Sequence, residues 1–458
     1  MTRRTIRQLA FVAVTGALSA CGDSYFSGPG INQNPNVPST AKADQLLVGF
    51  TAFNQYNLTG DNNRIISIFA QQMAGTGRQW AQYDNGYVFD ENTFPWDGFY
   101  TGGGLVDIRK IEQQVADVDK VYLGVAQVWE ALTVGTMADL WGDMPYSQAL
   151  SNVAQPKLDK QLDVFVAVQA LLDKAITNLS GAGTGPGAAD LIFGGDKNKW
   201  RAVAFTLKAR YYMHTAEVDP TSYAKALTAA LQGISSSSGD FTTYQSATYG
   251  EQNHWYQFRL GRGTDIGAGK FLVDLMTLRN DPRLTQYFSP GAAAGGVIIG
   301  AAPGQEDDGT IAWLSATRGD AAYRQPVVTN AENQMIVAEA QYMTGATVAA
   351  AATLNAWRAT VPLPVVVATG SALLTQIMQE KYVSLFQSIE VWNDYKRTCY
   401  PNLTPTDGSN FLPARLLYSG TERASNPNIP SPSQAPRRNA NDPKTPTSTD
   451  GTACKGQG

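Results

Sequence analysis

The stretch KWRAVAFTLKARYYMHTAEVDPTSYAKALTAALQGIS, Lys199–Ser235, decides the architecture. Trp200, Ala204, Leu207 and Tyr211 recur at steps of three and four residues, which on a 3.6-residue period is one helix face. The spacing predicts a helix over 199–217, a short turn, and a partner helix over 222–235. Ala202, Ala204 and Ala209 place small side chains inside the first helix, so a neighbour can approach closely and stack as a helical hairpin. The aromatics on this face are expected in the core rather than at a cofactor.

The same pattern extends outward in both directions. A helix over 161–179 carries Leu162, Phe165, Val166, Leu172, Ile176 and Leu179 as its apolar stripe. A helix over 331–344, with Ala338 and Ala340, pairs with one over 347–358, with Ala351 and Ala352; Glu339 and Arg358 are expected to pair across this hairpin. Further helices are expected over 42–58, 62–74, 106–116, 122–140, 270–278 and 373–392. The fold class is mainly α: stacked helical hairpins, TPR-like, with long irregular loop insertions near 75–104, 239–269 and 289–326. Loops of this length in a compact protein are usually functional. Residues 41–458 read as a single domain, ending from about residue 402 in a coil-like wrap rich in Pro, Asn and Ser.

The amino terminus reads as a processing segment. Arg3, Arg4 and Arg7 precede an apolar run, Leu9–Ala20, that is shorter than the roughly 20 residues a membrane-spanning helix needs. It matches the central region of a secretory signal peptide. Leu18-Ser19-Ala20-Cys21 closes it with small residues before a cysteine, as a lipoprotein signal peptidase requires. Residues 1–20 are thus expected to be removed and Cys21 to carry lipid, with 21–40 a flexible tether. Membrane contact is expected through that N-terminal lipid only, and Asp23, two residues on, can serve as a sorting signal.

Composition narrows the function. A formal net charge of −4 argues against nucleic acid, which calls for a basic face. Two histidines, His214 and His254, are too few for a multi-histidine metal site. Gly-x-Ser-x-Gly and the phosphate-binding Gly-x-x-x-x-Gly-Lys-[Ser/Thr] are absent. Glu306-Asp307-Asp308-Gly309 lacks the alternating ligands of a calcium loop and reads as a solvated acidic turn. Asp139 and Asp143, flanking Gly142 at a helix end, read as capping or ion-pairing groups rather than a catalytic dyad. No catalytic residue, metal or cofactor is assigned. Cys399 and Cys454 are left over and could pair in an oxidising compartment.

A family resemblance emerges from segments that follow one another in a fixed order. After the Cys21 region and an Asn/Pro stretch come ADLWGDMPYSQAL (Ala138–Leu150), KWRAVAFTLKARYYMH (Lys199–His214) and RNDPRLTQYF (Arg279–Phe288). ENQMIVAEAQYMTG with TLNAWR (Glu332–Gly345, Thr353–Arg358), EKYVSLFQSIEVWNDYKRTCYP (Glu380–Pro401) and RLLYSGTERASNPN (Arg415–Asn428) follow. Together they resemble the SusD/RagB family of surface lipoproteins. Ser419-Gly420, where the family usually has Pro after the Tyr, and Arg423 beside Glu422 depart from its pattern. The resemblance implies a SusD-like fold and an outer-membrane, surface-exposed location. It also implies a SusC/RagA-like TonB-dependent β-barrel transporter as partner, and a nutrient ligand bound between the early loop and the central insertions.

The insertions supply what such a ligand needs. Trp80, Tyr83, Asn85 and Trp96 stand in the first, His254, Trp255, Tyr256 and Arg259 in the second, and Trp313, Tyr323 and Arg324 in the third. Sugars present apolar C–H faces and a rim of hydroxyls, which suits aromatic platforms beside amide and guanidinium groups. Trp80, Tyr83, Asn85, Trp96, Trp313, Tyr323 and Arg324 are therefore the candidate ligand-binding residues. The leading expectation is non-catalytic capture of an oligosaccharide for a transporter. A RagB-like peptide receptor and a surface glycoside hydrolase are the alternatives.

Overall fold

A computed structural model describes residues 41–405 and 412–442. Cys21, the tether over 21–40 and Cys454 lie outside them. The helices in chain order are α1 (Ala43–Thr59), α2 (Asp61–Phe69), α3 (Arg78–Asp84), α4 (Leu105–Val115), α5 (Lys120–Trp141), α6 (Gln161–Leu179), α7 (Lys197–Thr215) and α8 (Ser222–Ala230). They continue with α9 (His254–Arg262), α10 (Lys270–Leu278), α11 (Leu284–Tyr287), α12 (Asn330–Met343), α13 (Thr347–Thr360), α14 (Gly370–Ser384), α15 (Glu390–Thr398) and α16 (Gly420–Ser425). Several starts are fixed by side chains that accept from orphan backbone N–H groups: Asp119 at α5, Asp196 at α7 and Thr329 at α12.

Helix α5 is the axis of the body and is buried along nearly its whole length. A Cβ on Gly135 would meet the Tyr211 ring at 2.1 Å, and one on Gly124 would meet Leu179 at 2.7 Å. Glycine at these two positions lets α7 and α6 close onto the axis. The expected hairpins α7–α8 and α12–α13 form, and α12 also packs on α8 and α14. Trp200, Ala204, Leu207 and Tyr211 are all buried as their spacing predicts. On α6 the stripe is rotated: Val164, Phe165, Val168, Leu172, Ala175 and Leu179 face inward, while Leu162 and Val166 remain exposed.

Two long helices predicted from periodicity are interrupted. The one expected over 62–74 stops at Phe69, because Gln71 turns to a φ of 55° and Met73–Gly75 becomes strand β1. The one expected over 373–392 divides into α14 and α15 around Gln387, with a φ of 63°. Two helices, α3 and α9, lie inside segments expected to be irregular. Two-stranded antiparallel ribbons knit the insertions together. Strand β1 pairs with β3 (Ile266–Ala268) in the register Met73↔Ala268, β2 (Phe241–Thr242) pairs with β6 (Pro326–Val328), and β4 (Phe288–Ser289) pairs with β5 (Trp313–Leu314).

The hairpins are locked by buried charge. Glu380 meets Arg283 at 2.8 Å, Arg358 at 3.2 Å and Arg279. Glu339 does not pair with Arg358; it meets Lys381 at 3.2 Å and Arg397 at 2.7 Å, and both cations also reach Asp394. His214 sits between Asp139, at 2.8 Å, and Glu390. Burial works against its charge, but the two carboxylates outweigh it and carry its pKa up to about 10. Asp143 meets Lys160 at 2.8 Å and accepts from the Gln161 N–H at 2.9 Å.

The carboxyl end of α5 is closed from far along the chain. Gly142, with a φ of 78°, ends the helix. The Ala138 carbonyl accepts from Gln161 Nε2 at 2.8 Å, and that of Asp139 from Lys396 Nζ at 2.7 Å and Asn439 Nδ2 at 2.6 Å. The Leu140 carbonyl takes the Leu416 N–H at 2.9 Å, and that of Trp141 takes Arg415 Nε at 2.6 Å. Cys399 at the end of α15 is disulfide-bonded; Cys454, its expected partner, lies outside the described residues.

Candidate functional site

Pairing of β1 with β3 brings the first and second insertions side by side, and the Thr76 N–H bonds the Asp265 carbonyl at 2.8 Å to extend the contact. Asp84, buried at the end of α3, accepts from the Gly75 N–H at 3.2 Å and from the Gly304 backbone, so the third insertion joins them. Burial raises the Asp84 pKa to about 7 against those two hydrogen bonds. Asn85 is exposed beside Gly304, whose φ of +74° calls for glycine.

The expected ligand residues fall into two groups. Trp80 and Trp96 are core residues at 4 % and 1 % exposure, which corrects their assignment to the ligand surface. Trp80 packs edge-on against Phe258 at 5.0 Å, and Trp96 against Trp141 at 5.1 Å and Tyr418 at 5.5 Å. Their large apolar area is worth more against neighbouring rings than in water.

Tyr83 and Trp313 are half-buried and flank α9. Tyr83 leans edge-on against Trp80 at 5.5 Å, and Trp80 in turn packs on Phe258 of α9. Trp313 lies against Trp255 at 5.9 Å, with the Arg259 guanidinium 4.7 Å from its ring centre. Tyr323 and Arg324 belong to the other end of α9. The Tyr323 carbonyl accepts from Asn253 Nδ2 at 2.9 Å, and exposed Arg324 lies 5.0 Å from the Tyr244 ring. The acidic turn uses its carboxylates locally: Asp307 accepts from the Gly309 N–H at 2.8 Å and Asp308 from the Thr310 N–H at 3.0 Å.

At the first residue of α9 stands a polar corner that the sequence reading missed, built at the α1–α2 junction. Tyr56 Oη donates to Asp61 Oδ2 at 3.0 Å, and Arg64 Nη2 donates to Asp61 Oδ1 at 2.6 Å. Arg64 Nη1 bonds the His254 carbonyl at 3.0 Å, tying α2 to α9. The Tyr56 and His254 rings meet edge to face at 5.2 Å. A Cβ on Gly60 would come within 2.7 Å of the Tyr56 ring, so Gly60 lets that ring lie back over the junction. The Asp61 side chain is 39 % exposed and that of Arg64 only 5 %.

Residues 35–419 match the model of a SusD-like family described as starch-binding and associating with the outer membrane. The chain belongs to the SusD-like family. Among solved structures it is similar to a chitin-binding SusD homologue from Flavobacterium johnsoniae, with a TM-score of 0.73 at 20 % identity, covering 88 % of this chain and 98 % of that one. It is also similar to a SusD/RagB family protein from Bacteroides thetaiotaomicron, with a TM-score of 0.71 at 22 % identity, covering 85 % and 95 %. A comparison with curated proteins gives no match. These likenesses establish the mainly helical SusD-like fold. Among the described residues, no helix is long and apolar enough to cross a membrane.

Proposed function

We propose that this SusD-like protein is a non-catalytic lipoprotein of the cell surface, anchored through Cys21. It captures an oligosaccharide on the face around α9 and hands it to a TonB-dependent β-barrel transporter. The observation that carries the reading is the half-exposed Trp313 ring, braced by Trp255 and Arg259, in a chain whose family is described as starch-binding. A braced ring offers a rigid apolar platform to a sugar face at little cost in side-chain entropy. Tyr83 and Asn85 on one side, and Tyr323 and Arg324 on the other, extend the platform with polar groups. A neighbour of the same fold whose name states chitin binding supports a saccharide as ligand.

Calorimetric titration with maltohexaose, chitohexaose and a hexapeptide pool tests the reading. Saccharide binding that falls at least tenfold in Trp313→Ala is expected. Binding of the peptides alone, or hydrolysis of a saccharide by the pure protein, would overturn it.

A further inference from the structure

At the α1–α2 corner the hydrogen-bond donors are turned inward. The Tyr56 hydroxyl proton goes to Asp61, and Arg64 spends Nη1 and Nη2 on the His254 carbonyl and on Asp61 while staying out of solvent. Thr59 Oγ1 donates its one proton to the Gln55 carbonyl at 2.7 Å. Its 2.8 Å contact with His254 Nδ1 must then be donated by the histidine. Burial, with Arg64 beside it, lowers the His254 pKa to about 4, so the ring is neutral near pH 7. A neutral imidazole with its proton on Nδ1 carries a lone pair on Nε2. Asp61 keeps unused lone pairs on both oxygens, and Tyr56 Oη keeps its own. The corner therefore presents acceptors, one of them a fixed carboxylate.

We propose that Tyr56, Asp61 and His254 form an acceptor-only subsite that takes an uncharged saccharide residue by its adjacent hydroxyl donors and rejects anionic sugars. The inference rests on the carbohydrate-binding reading above and sharpens it. Hydroxyls donating to an ionised carboxylate make charge-assisted bonds, stronger than neutral ones. A uronate or sulfate meets the same carboxylate at close range, while the Arg64 donors are spent inward on Asp61 and the His254 carbonyl, which is how a site discriminates by exclusion. The corner is pre-organised, since Arg64 and Tyr56 already hold Asp61 in place before any ligand arrives.

The test uses the full-length protein in detergent, titrated calorimetrically with maltohexaose, chitohexaose and hexagalacturonate. A neutral hexasaccharide is expected to bind at least tenfold more tightly than hexagalacturonate. Asp61→Asn replaces one acceptor by a donor, and should weaken neutral binding at least tenfold while narrowing that gap. Because this change leaves buried Arg64 without its carboxylate, Tyr56→Phe is measured beside it, with thermal unfolding recorded for both; about a threefold weakening is expected on an intact fold. Preference of the wild type for hexagalacturonate would overturn the subsite. So would wild-type affinity in both variants, and if Trp313→Ala then still abolishes binding, the saccharide reading survives alone. Failure of the wild type to bind any of the three hexasaccharides overturns both.

Discussion

In the hairpin half, Glu380 meets three guanidinium groups and has 0 % side-chain exposure; at the proposed ligand face, Asp61 meets one and keeps 39 % of its side chain in water. The same contrast separates the histidines. His214 is clamped between two carboxylates, whereas His254 is neutral beside an arginine. In the framework, polar groups are turned on one another, which makes one arrangement of helices much better than its neighbours. At the face, part of the bonding capacity is left over. The proposed site is marked by unspent acceptors and half-covered rings more than by the residue types themselves.

The strongest way to break this contrast is Glu380→Ala, which strands Arg279, Arg283 and Arg358 with Asp281 as their remaining buried carboxylate. A loss of about 3–5 kcal/mol is expected, read from denaturant unfolding, because an uncompensated buried charge costs more than the pair gains. A loss under about 1 kcal/mol would mean that this cluster is solvated in the native state. Trp96→Ala sharpens the comparison, since its ring belongs to the framework although its sequence neighbourhood is loop. It should cost about 3–5 kcal/mol, while the half-exposed Trp313→Ala costs under about 2 kcal/mol. A separate test is pH dependence through His214. Its folded pKa of about 10 lies above the ordinary value near 6.5. The stabilisation is therefore fully present below pH 6.5 and is lost as pH rises toward 10. His214→Gln should flatten the stability–pH curve over that window; an unchanged slope would dissociate the clamp from stability.

Much of the framework was legible because helices of nine or more residues imprint a period. The boundaries of α6 and α10 follow directly from apolar spacing, and the face of α7 was read correctly. The face of α6 was not, because Val164 and Ala175 win burial over Leu162 and Val166 through the direction from which α5 and α7 approach. Positive-φ turns at Gln71 and Gln387 broke two apolar runs without any Gly or Pro to announce them. The proposed ligand face was harder. Tyr83, Asn85 and Trp313 stood out as candidates because insertions rich in rings and amides are unusual. Trp80 and Trp96 looked the same in sequence, and only the packing of rings from distant segments separates them. Tyr56 and Asp61 were hidden inside helices, where a Tyr reads as core and an Asp as a helix-start residue. Asp61 close after Gly60, with Arg64 one turn on, was the available signal.

The closing of α5 has a consequence in time. Asn439 caps the Asp139 carbonyl across 300 residues. At the roughly 5–20 residues per second of synthesis, the helix waits on the order of tens of seconds for that cap. Until the last segment arrives, the carbonyls of Asp139, Leu140 and Trp141 lack the partners that the finished body gives them. The carboxyl end of α5 is thus among the last parts of the body to be completed.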